Sequence, residues 1–259
     1  VRDSTVTKIA VDINNDKNLI SVYNDGVGID VVIHPKEKIY VPELIFGHLR
    51  TSTSFEDEEK RIVGGTYGLG SKLTNIFSTY FKVEVGDPIH HKSFSQTYTN
   101  NLSTKSTPIV KDYKDKTGYV RISFKPDLKY FKIQSMSNDF INLLQRRVYD
   151  LAGLTSKQVS VYLNGTKIPI SHFGDYVNMF TTDINQARQV HENCDEDDPT
   201  YKEGRWRIIL IPSDGTFKQI SFVNGIYTSN GGRHVDYIMN RLLKLIKDYI
   251  TTKYKTDKI

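Results

Sequence analysis

Two glycine clusters carry the residue types in this sequence best suited to hold a ligand. The first is Asn24-Asp25-Gly26-Val27-Gly28, directly after an apolar run. The second is Gly64-Gly65-Thr66-Tyr67-Gly68-Leu69-Gly70-Ser71-Lys72, which runs into Leu73, Ile76 and Phe77 at helical spacing. Glycine lets another group approach the backbone because no Cβ intervenes. Backbone N–H groups at the start of a helix suit phosphate oxygens. Lys72 adds a point charge. Taken singly, Asp25-Gly26 is a common turn dipeptide, and a glycine loop before a helix is often structural. The two clusters together, in this order, favour nucleotide binding.

The familiar nucleotide motifs do not fit. A P-loop needs G-x-x-x-x-G-K-S/T, with the lysine ahead of the hydroxyl. Gly65 to Lys72 has those last two residues exchanged. The dinucleotide fingerprint G-x-G-x-x-G fails as well, because Val31 and Leu73 stand where its third glycine belongs. Other candidates are weaker. His90-His91 lies in a polar stretch without carboxylates at ligand spacing. His34, His172, His191 and His234 have no evident partners. Cys194 sits in an acidic loop, not in the electropositive setting of an activated thiol. No nucleophile elbow is present. Lys253, Lys255 and Lys258 form a small basic end that reads, on sequence alone, as a solvated tail.

Composition narrows the class. The chain has 259 residues, 35 Lys plus Arg against 30 Asp plus Glu, and a net charge of +5. That bias is compatible with an acidic partner but does not require one. A single cysteine excludes an intrachain disulfide framework and a multi-cysteine zinc site, and fits a reducing, intracellular compartment. No apolar run is long enough to span a membrane. The chain opens on VRDST, with neither an initiator methionine nor a signal peptide, and so reads as a fragment.

The elements that must position the glycine clusters follow from periodicity. Ile9, Val11 and Ile13 alternate as on a half-buried strand, and a turn at 14–18 leads to a second strand over Leu19 to Tyr23. Pro42 opens a short helix carrying Leu44, Ile45 and Leu49. Thr51 to Lys60 reads as a mobile loop, and residues 86–118 as a polar hairpin or loop region. Val120, Ile122 and Phe124 make a strand closed by Pro126. Ser137 caps a helix over Asn138 to Ala152, with Gly153 as its stop. Val159, Val161 and Leu163 lead into the hairpin signal Asn164-Gly165. Glu192 to Asp198 is an acidic loop. Arg207 to Ile211 and Gln219 to Val223 read as strands. A helix from Val235 carries Ile238, Leu242, Leu245, Ile246, Tyr249 and Ile250 on one face.

Three segments together resemble the ATPase region of eukaryotic-type type II DNA topoisomerases. They are SVYNDGVGIDVVIHPKEKIYVPELIFGHLRTSTSFEDEEK (21–60), GGTYGLGSKLTNIFST (64–79) and QISFVNGIYTSNGGRHVDYI (219–238). FKPDLKYFKI and RRVYDLAG add support between them. VPELIFGHL and KLTNIFST look like the eukaryotic branch and unlike bacterial gyrase. The Asn/Ile/Tyr/Lys-rich wording is compatible with the similar enzymes of large cytoplasmic DNA viruses. The resemblance implies an α/β sandwich: a two-layer ATP-binding (GHKL-type) domain over residues 1–136, then a transducer domain over 137–259.

For function, the resemblance implies ATP and Mg2+ as cofactors. It implies a homodimeric gate that closes on double-stranded DNA, no membrane, and a nuclear location, or host cytoplasm if viral. Asn24 takes the adenine-contact position, and its carboxamide can both donate and accept. Gly26 and Gly28 give the base close access, and Ile29, Ile45 and Phe46 line the apolar part of the pocket. Ser52, Thr53 and Ser54 match the polar run near ribose and phosphates. Gly65, Thr66, Tyr67, Gly68, Leu69, Gly70, Ser71 and Lys72 form the lid over the triphosphate. Lys253, Lys255 and Lys258 match the end of the transducer helix that faces captured DNA.

The sequence departs from the family in what it lacks. The family's general-base glutamate and Mg2+-binding asparagine lie on a helix just before the segment matching VRDST, so both are expected upstream of Val1. Its γ-phosphate lysine lies on a loop that would follow Ile259. The resemblance therefore implies a chain truncated at both ends, with no catalytic residue or metal ligand of its own and negligible hydrolysis alone. Two rival classes remain open: another ATPase of the same superfamily, of chaperone or mismatch-repair type, and a non-catalytic binding module. GGRHVDYI argues for the topoisomerase branch.

Overall fold

The computed structural model describes residues 3–49, 68–181, 188–191, 206–213 and 215–254. They fall into two compact units, one ending at Ile211 and one starting at Pro212.

The first unit is built on a mixed sheet of nine strands among the described residues. These are β1 (Lys8–Asn14), β2 (Leu19–Gly26), β3 (Ser78–Asp87), β4 (Lys92–Thr99), β5 (Thr104–Lys105), β6 (Ile109–Asp112), β7 (Gly118–Pro126), β8 (Ser160–Leu163) and β9 (Thr166–Lys167). The order across the sheet is β5-β4-β3-β7-β2-β1-β8-β9, with β6 also on β4. The β1–β8 pair is parallel, and the other pairs run antiparallel. Register sorts the faces. Val11 lies opposite Val22, Val22 opposite Ile122, and Ile122 opposite Val83. The neighbouring row, Ala10, Tyr23, Arg121 and Glu84, therefore lies on the other face.

Helices α1 (Val41–Gly47) and α2 (Gly70–Ile76) pack on β3, and α3 (Asn138–Leu154) packs on β8. The buried centre beneath α1 joins Val31, Phe46, Phe81, Val83, Val85, Phe94 and Tyr98. Each such side chain contributes on the order of 1.5–3 kcal/mol by leaving water. The α/β class expected from the sequence is the class observed.

Three sequence-level divisions compare with the structure in different ways. The boundary expected between 136 and 137 falls inside the first unit, because α3 packs on β8 and β8 pairs with β1. The change in pattern there is a strand giving way to a helix, not the end of a unit. Of the two forms expected for the polar stretch 86–118, the hairpin is observed, formed by the end of β3 with β4, β5 and β6. It reads as polar because Ser93, Ser95 and Thr97 alternate with the buried Phe94, Gln96 and Tyr98. Gly153 does not stop α3, which runs to Leu154 and ends at Thr155. Gly153 is there for packing: a Cβ would lie 2.6 Å from the Tyr176 ring on α4 (Phe173–Val177). The expected cap does form, with the Ser137 hydroxyl accepting the Phe140 amide at 3.2 Å.

Arg146, Arg147 and the Tyr176 hydroxyl all donate to the buried Asp150 carboxylate, at 3.0, 2.8 and 2.7 Å. A turn at Asn178–Phe180 follows, and the ladder of β10 (Arg188–His191) with β11 (Arg207–Leu210) completes the unit.

In the second unit β12 (Phe222–Val223) and β13 (Ile226–Tyr227) form a hairpin closed by Asn224-Gly225, at φ 50° and 80°. Asn164-Gly165 closes β8–β9 in the same way, at 48° and 78°. The strand expected from Gln219 shortens to β12. Helix α5 (Arg233–Tyr254) follows with 22 residues. Among the described residues no helix is long and apolar enough to cross a membrane.

Candidate nucleotide site

The first glycine cluster lies where β2 runs out. Alternation along β2 places Asn24 on the same face as Ile20 and Val22, the face that carries the core. Its Nδ2 donates to the Asp25 carbonyl at 3.0 Å. That contact fixes the carboxamide with its nitrogen engaged and its oxygen still able to accept. The opposite alternation sends Asp25 to the other face. There its carboxylate accepts the Thr7 amide at 2.8 Å, the Thr7 hydroxyl at 2.6 Å and the Lys8 amide at 2.8 Å. Burial alone would raise the pKa of Asp25, but these hydrogen bonds outweigh it and hold the group below the ordinary carboxylate value.

Two more carboxylates fasten the loop that follows. Asp3 accepts the Val27 amide at 2.9 Å and is kept ionised chiefly by the Thr5 hydroxyl, then by that amide. Asp87, at the end of β3, accepts the Val31 amide at 2.7 Å. Its remaining capacity goes to the Ile89 and His90 amides at 2.9 and 3.0 Å and to the His90 ring at 2.6 Å. Here too burial works to raise the pKa, and the Val31 and His90 contacts bring it below the usual range. Residues 26–31 are thus held by two acids from separate parts of the chain, Asp3 and Asp87, while a third, Asp25, ties the start of the loop to Thr7 and Lys8. Sequence reasoning singled out only Asp25 of the three, and only as part of a turn.

The glycines of this cluster answer a need of the fold itself. Gly26 and Gly28 sit at φ 121° and 83°, which disfavour any other residue. A Cβ on Gly28 would lie 2.8 Å from the Gly86 carbonyl oxygen. Gly118, which the sequence did not single out, faces the same crowding: its Cβ would strike the Val27 carbonyl and lie 2.7 Å from that of Gly26. The loop and the β3–β7 edge approach backbone to backbone.

The second cluster is described from Gly68 onward. Gly65, Thr66 and Tyr67, and the polar run Ser52, Thr53 and Ser54, lie outside the described residues. So does Val1, the residue ahead of which the general-base glutamate is expected. Gly68 sits at φ 59°. Leu69 and Gly70 are exposed, Ser71 is half-buried and Lys72 is buried. The Lys72 ammonium donates to the Gly68 carbonyl at 2.7 Å, and burial lowers its pKa. Nearby, Asn75 donates to the Phe46 carbonyl at 3.1 Å and so ties α2 to the end of α1. Of the expected apolar lining, Phe46 is buried against Phe81 and forms part of the core. Ile29 and Ile45 are partly buried against the same cluster.

The remaining candidates sort plainly. Asp30, Asp87 and His90 bring ligand-type atoms within 4.8 Å of one another. Both Asp87 oxygens already accept N–H donors, so the trio serves to close the loop. His90 does have a carboxylate at close spacing, contrary to the sequence reading. His34 and His172 accept the Glu37 and Asp175 amides, and His234 pairs with Thr228. In the second unit Lys253 lies over Tyr249 and bonds its hydroxyl at 3.0 Å. Lys255 and Lys258 lie outside the described residues.

Known proteins resemble this chain. Residues 173–259 match the family model described as DNA gyrase B. DNA topoisomerase 2 of Candida glabrata is 41% identical over all of this chain and 19% of its own length. DNA topoisomerase 2 of Drosophila melanogaster is 42% identical over 98% of this chain and 17% of its own. The chain thus spans about a fifth of the curated relatives it matches. The crystal structure of the ATPase region of Saccharomyces cerevisiae topoisomerase II superposes with a TM-score of 0.87 at 39% identity, covering 97% of this chain and 64% of that one. Sequence and backbone thus align over nearly the whole chain with the ATPase region of type II DNA topoisomerases, which is the family this chain resembles.

Proposed function

We propose that these 259 residues are the nucleotide-binding part of a gate that uses ATP to pass one DNA duplex through another. The observation that carries this reading is the Asn24 carboxamide, fixed on the inner face beside Gly26 and Gly28. With its nitrogen held by the Asp25 carbonyl, its oxygen is the atom left to accept from an adenine amino group. The exposed Leu69 and Gly70 leave the start of α2 open. Lys72 can exchange the Gly68 carbonyl for a phosphate, a stronger partner for a partly desolvated ammonium. Ser52, Thr53, Ser54, Gly65, Thr66 and Tyr67 complete the phosphate side in this account.

Mg2+ neutralises phosphate charge in such reactions. Asp3, Asp25 and Asp87 are already occupied by N–H and O–H donors, so none of them fits as its ligand. The general-base glutamate and Mg2+-binding asparagine of the family match no residue from Val1 onward, and hydrolysis by these residues alone is negligible. In the whole enzyme ATP joins two copies, and Lys253, Lys255 and Lys258 lie near the captured duplex. The first domain, on this reading, is the nucleotide-binding fold and the second the transducer. The setting is nuclear, or host cytoplasm for a viral enzyme.

The test is displacement of a fluorescent ATP analogue from this chain. ATP should displace it far better than GTP, and Asn24→Ala should erase the preference. Equal displacement by both nucleotides in the unaltered chain would contradict the adenine role of Asn24.

A further inference from the structure

The face of the nine-stranded sheet opposite the core carries a row of tyrosines that the nucleotide site does not use. Tyr23 on β2 stacks beside Tyr119 on β7, with ring centroids 5.8 Å apart and planes 24° apart. Tyr113 continues the row 6.0 Å from Tyr119, and its hydroxyl donates to the Thr117 carbonyl at 2.7 Å. In the other direction the Lys8 ammonium lies 5.9 Å from the Tyr23 centroid and 4.9 Å from that of Tyr162 on β8. The Arg121 guanidinium covers Tyr23 at 5.2 Å. An open groove of about 620 Å³ runs along Tyr23, Tyr113, Lys116, Tyr119 and Arg121.

Two features choose the occupant. The rings are arrayed across a sheet surface, Tyr23 stacked with Tyr119 and covered by Arg121, so a planar group binds by exchanging for these contacts. The charge beside the rings is mixed: Lys8, Lys116 and Arg121 are exposed cations at the rings, and Asp12 is exposed and Asp25 buried on the same face. Asp115 stands at one end, while Glu84, opposite Arg121 in register, is paired with Lys82 at 2.8 Å. Aromatic platforms flanked by cations bind single-stranded nucleic acid by stacking bases and neutralising phosphates. A duplex keeps its bases stacked on one another and cannot use the rings. A proline-rich peptide would use the rings but not the cations.

We propose that this tyrosine face binds single-stranded nucleic acid, with Tyr23 and Tyr119 stacking bases and Lys8 and Arg121 holding phosphates. The site is separate from the nucleotide pocket, and the proposal stands or falls independently of it. Burial, more than any neighbouring charge, raises the pKa of Tyr23, Tyr113 and Tyr119, so the phenols stay neutral beside phosphate.

The test is fluorescence anisotropy of this chain with labelled oligothymidine and oligouridine of about 15 nucleotides, a length within the usual site size of such platforms. A duplex of the same length and an abasic strand serve as comparisons. Single strands should bind more tightly than the duplex or the abasic strand, and the two sugars report whether DNA or RNA is preferred. Tyr23→Ala with Tyr119→Ala should weaken binding by on the order of tenfold or more. Tyr23→Phe with Tyr119→Phe should retain it. Lys8→Gln with Arg121→Gln should flatten the salt dependence by about 0.7 for each phosphate no longer neutralised. Circular dichroism of each variant confirms that the fold is kept. Equal binding of abasic and normal strands, a preference for duplex, or competition by a proline-rich peptide alone would overturn the proposal.

Discussion

The Asp87 carboxylate accepts the Val31 amide at 2.7 Å, although the two residues lie on opposite sides of the second glycine cluster in sequence. Both are fully buried. This bond anchors the far end of the loop that begins at Asn24, so the geometry of the proposed nucleotide site depends on a residue of β3. Removing the charge by Asp87→Asn should cost on the order of 2–3 kcal/mol, since several N–H donors share it. Urea denaturation checks the value. A change below about 0.5 kcal/mol would mean that the bond does not hold the loop.

The same group gives a pH signature. The Asp87 and Asp25 carboxyls are depressed in the folded chain. The unfolded chain therefore takes up their protons first as pH falls. Their stabilisation is fully present above the ordinary carboxylate pKa of about 4 and is lost as pH falls through the lower folded values. The melting temperature should fall steeply below about pH 4. Asp25→Asn and Asp87→Asn should each flatten that fall.

Gly118 should be as intolerant as the glycines of the loop it faces. Gly118→Ala drives a Cβ into the Val27 and Gly26 carbonyls, which are backbone and cannot swing away. We expect a loss on the order of 2–4 kcal/mol, or failure to fold, by thermal melting. Gly165→Ala has nothing within 4 Å of its Cβ, so only its positive φ opposes it. It should cost about 1 kcal/mol.

Lys72 separates the lid from a plain helix start. Lys72→Met keeps the apolar stem and removes the ammonium that holds the Gly68 carbonyl. Affinity for an ATP analogue should fall by about tenfold or more, with adenosine affinity little changed. Equal losses for both ligands, measured by calorimetry, would show that the substitution acts through the fold and not through the phosphates.

The second unit carries a charge prediction. Neutralising Lys253, Lys255 and Lys258 to Gln should weaken duplex binding on all sequences alike. It should reduce the salt slope by about 0.9 for each phosphate no longer neutralised. Binding isotherms over a salt series read both, and a sequence-selective loss would count against a phosphate-binding role.

What the sequence made legible was local. Ser137 announces a cap three residues before its partner amide, and Asn164-Gly165 announces its turn within the dipeptide itself. The glycines of residues 24–28 announce the tight loop they form. The missed residues act across the fold. Nothing near Gly118 says that it faces the carbonyls of residues 26 and 27, and nothing near Asp87 points to Val31. Nothing near β1 or β8 announces their pairing either, because it joins segments that share no local signal.

The central claim is that the glycine loops hold ATP and that ATP closes a gate. The most direct measurement pairs affinity with mass. A non-hydrolysable ATP analogue with Mg2+ is titrated into this chain and into a version carrying the family's flanking segments at both ends. The account predicts that the extended version binds tightly and doubles in mass, and that Asn24→Ala abolishes both effects. If neither version binds, the glycines serve only the close backbone approaches seen here, and the nucleotide reading is wrong.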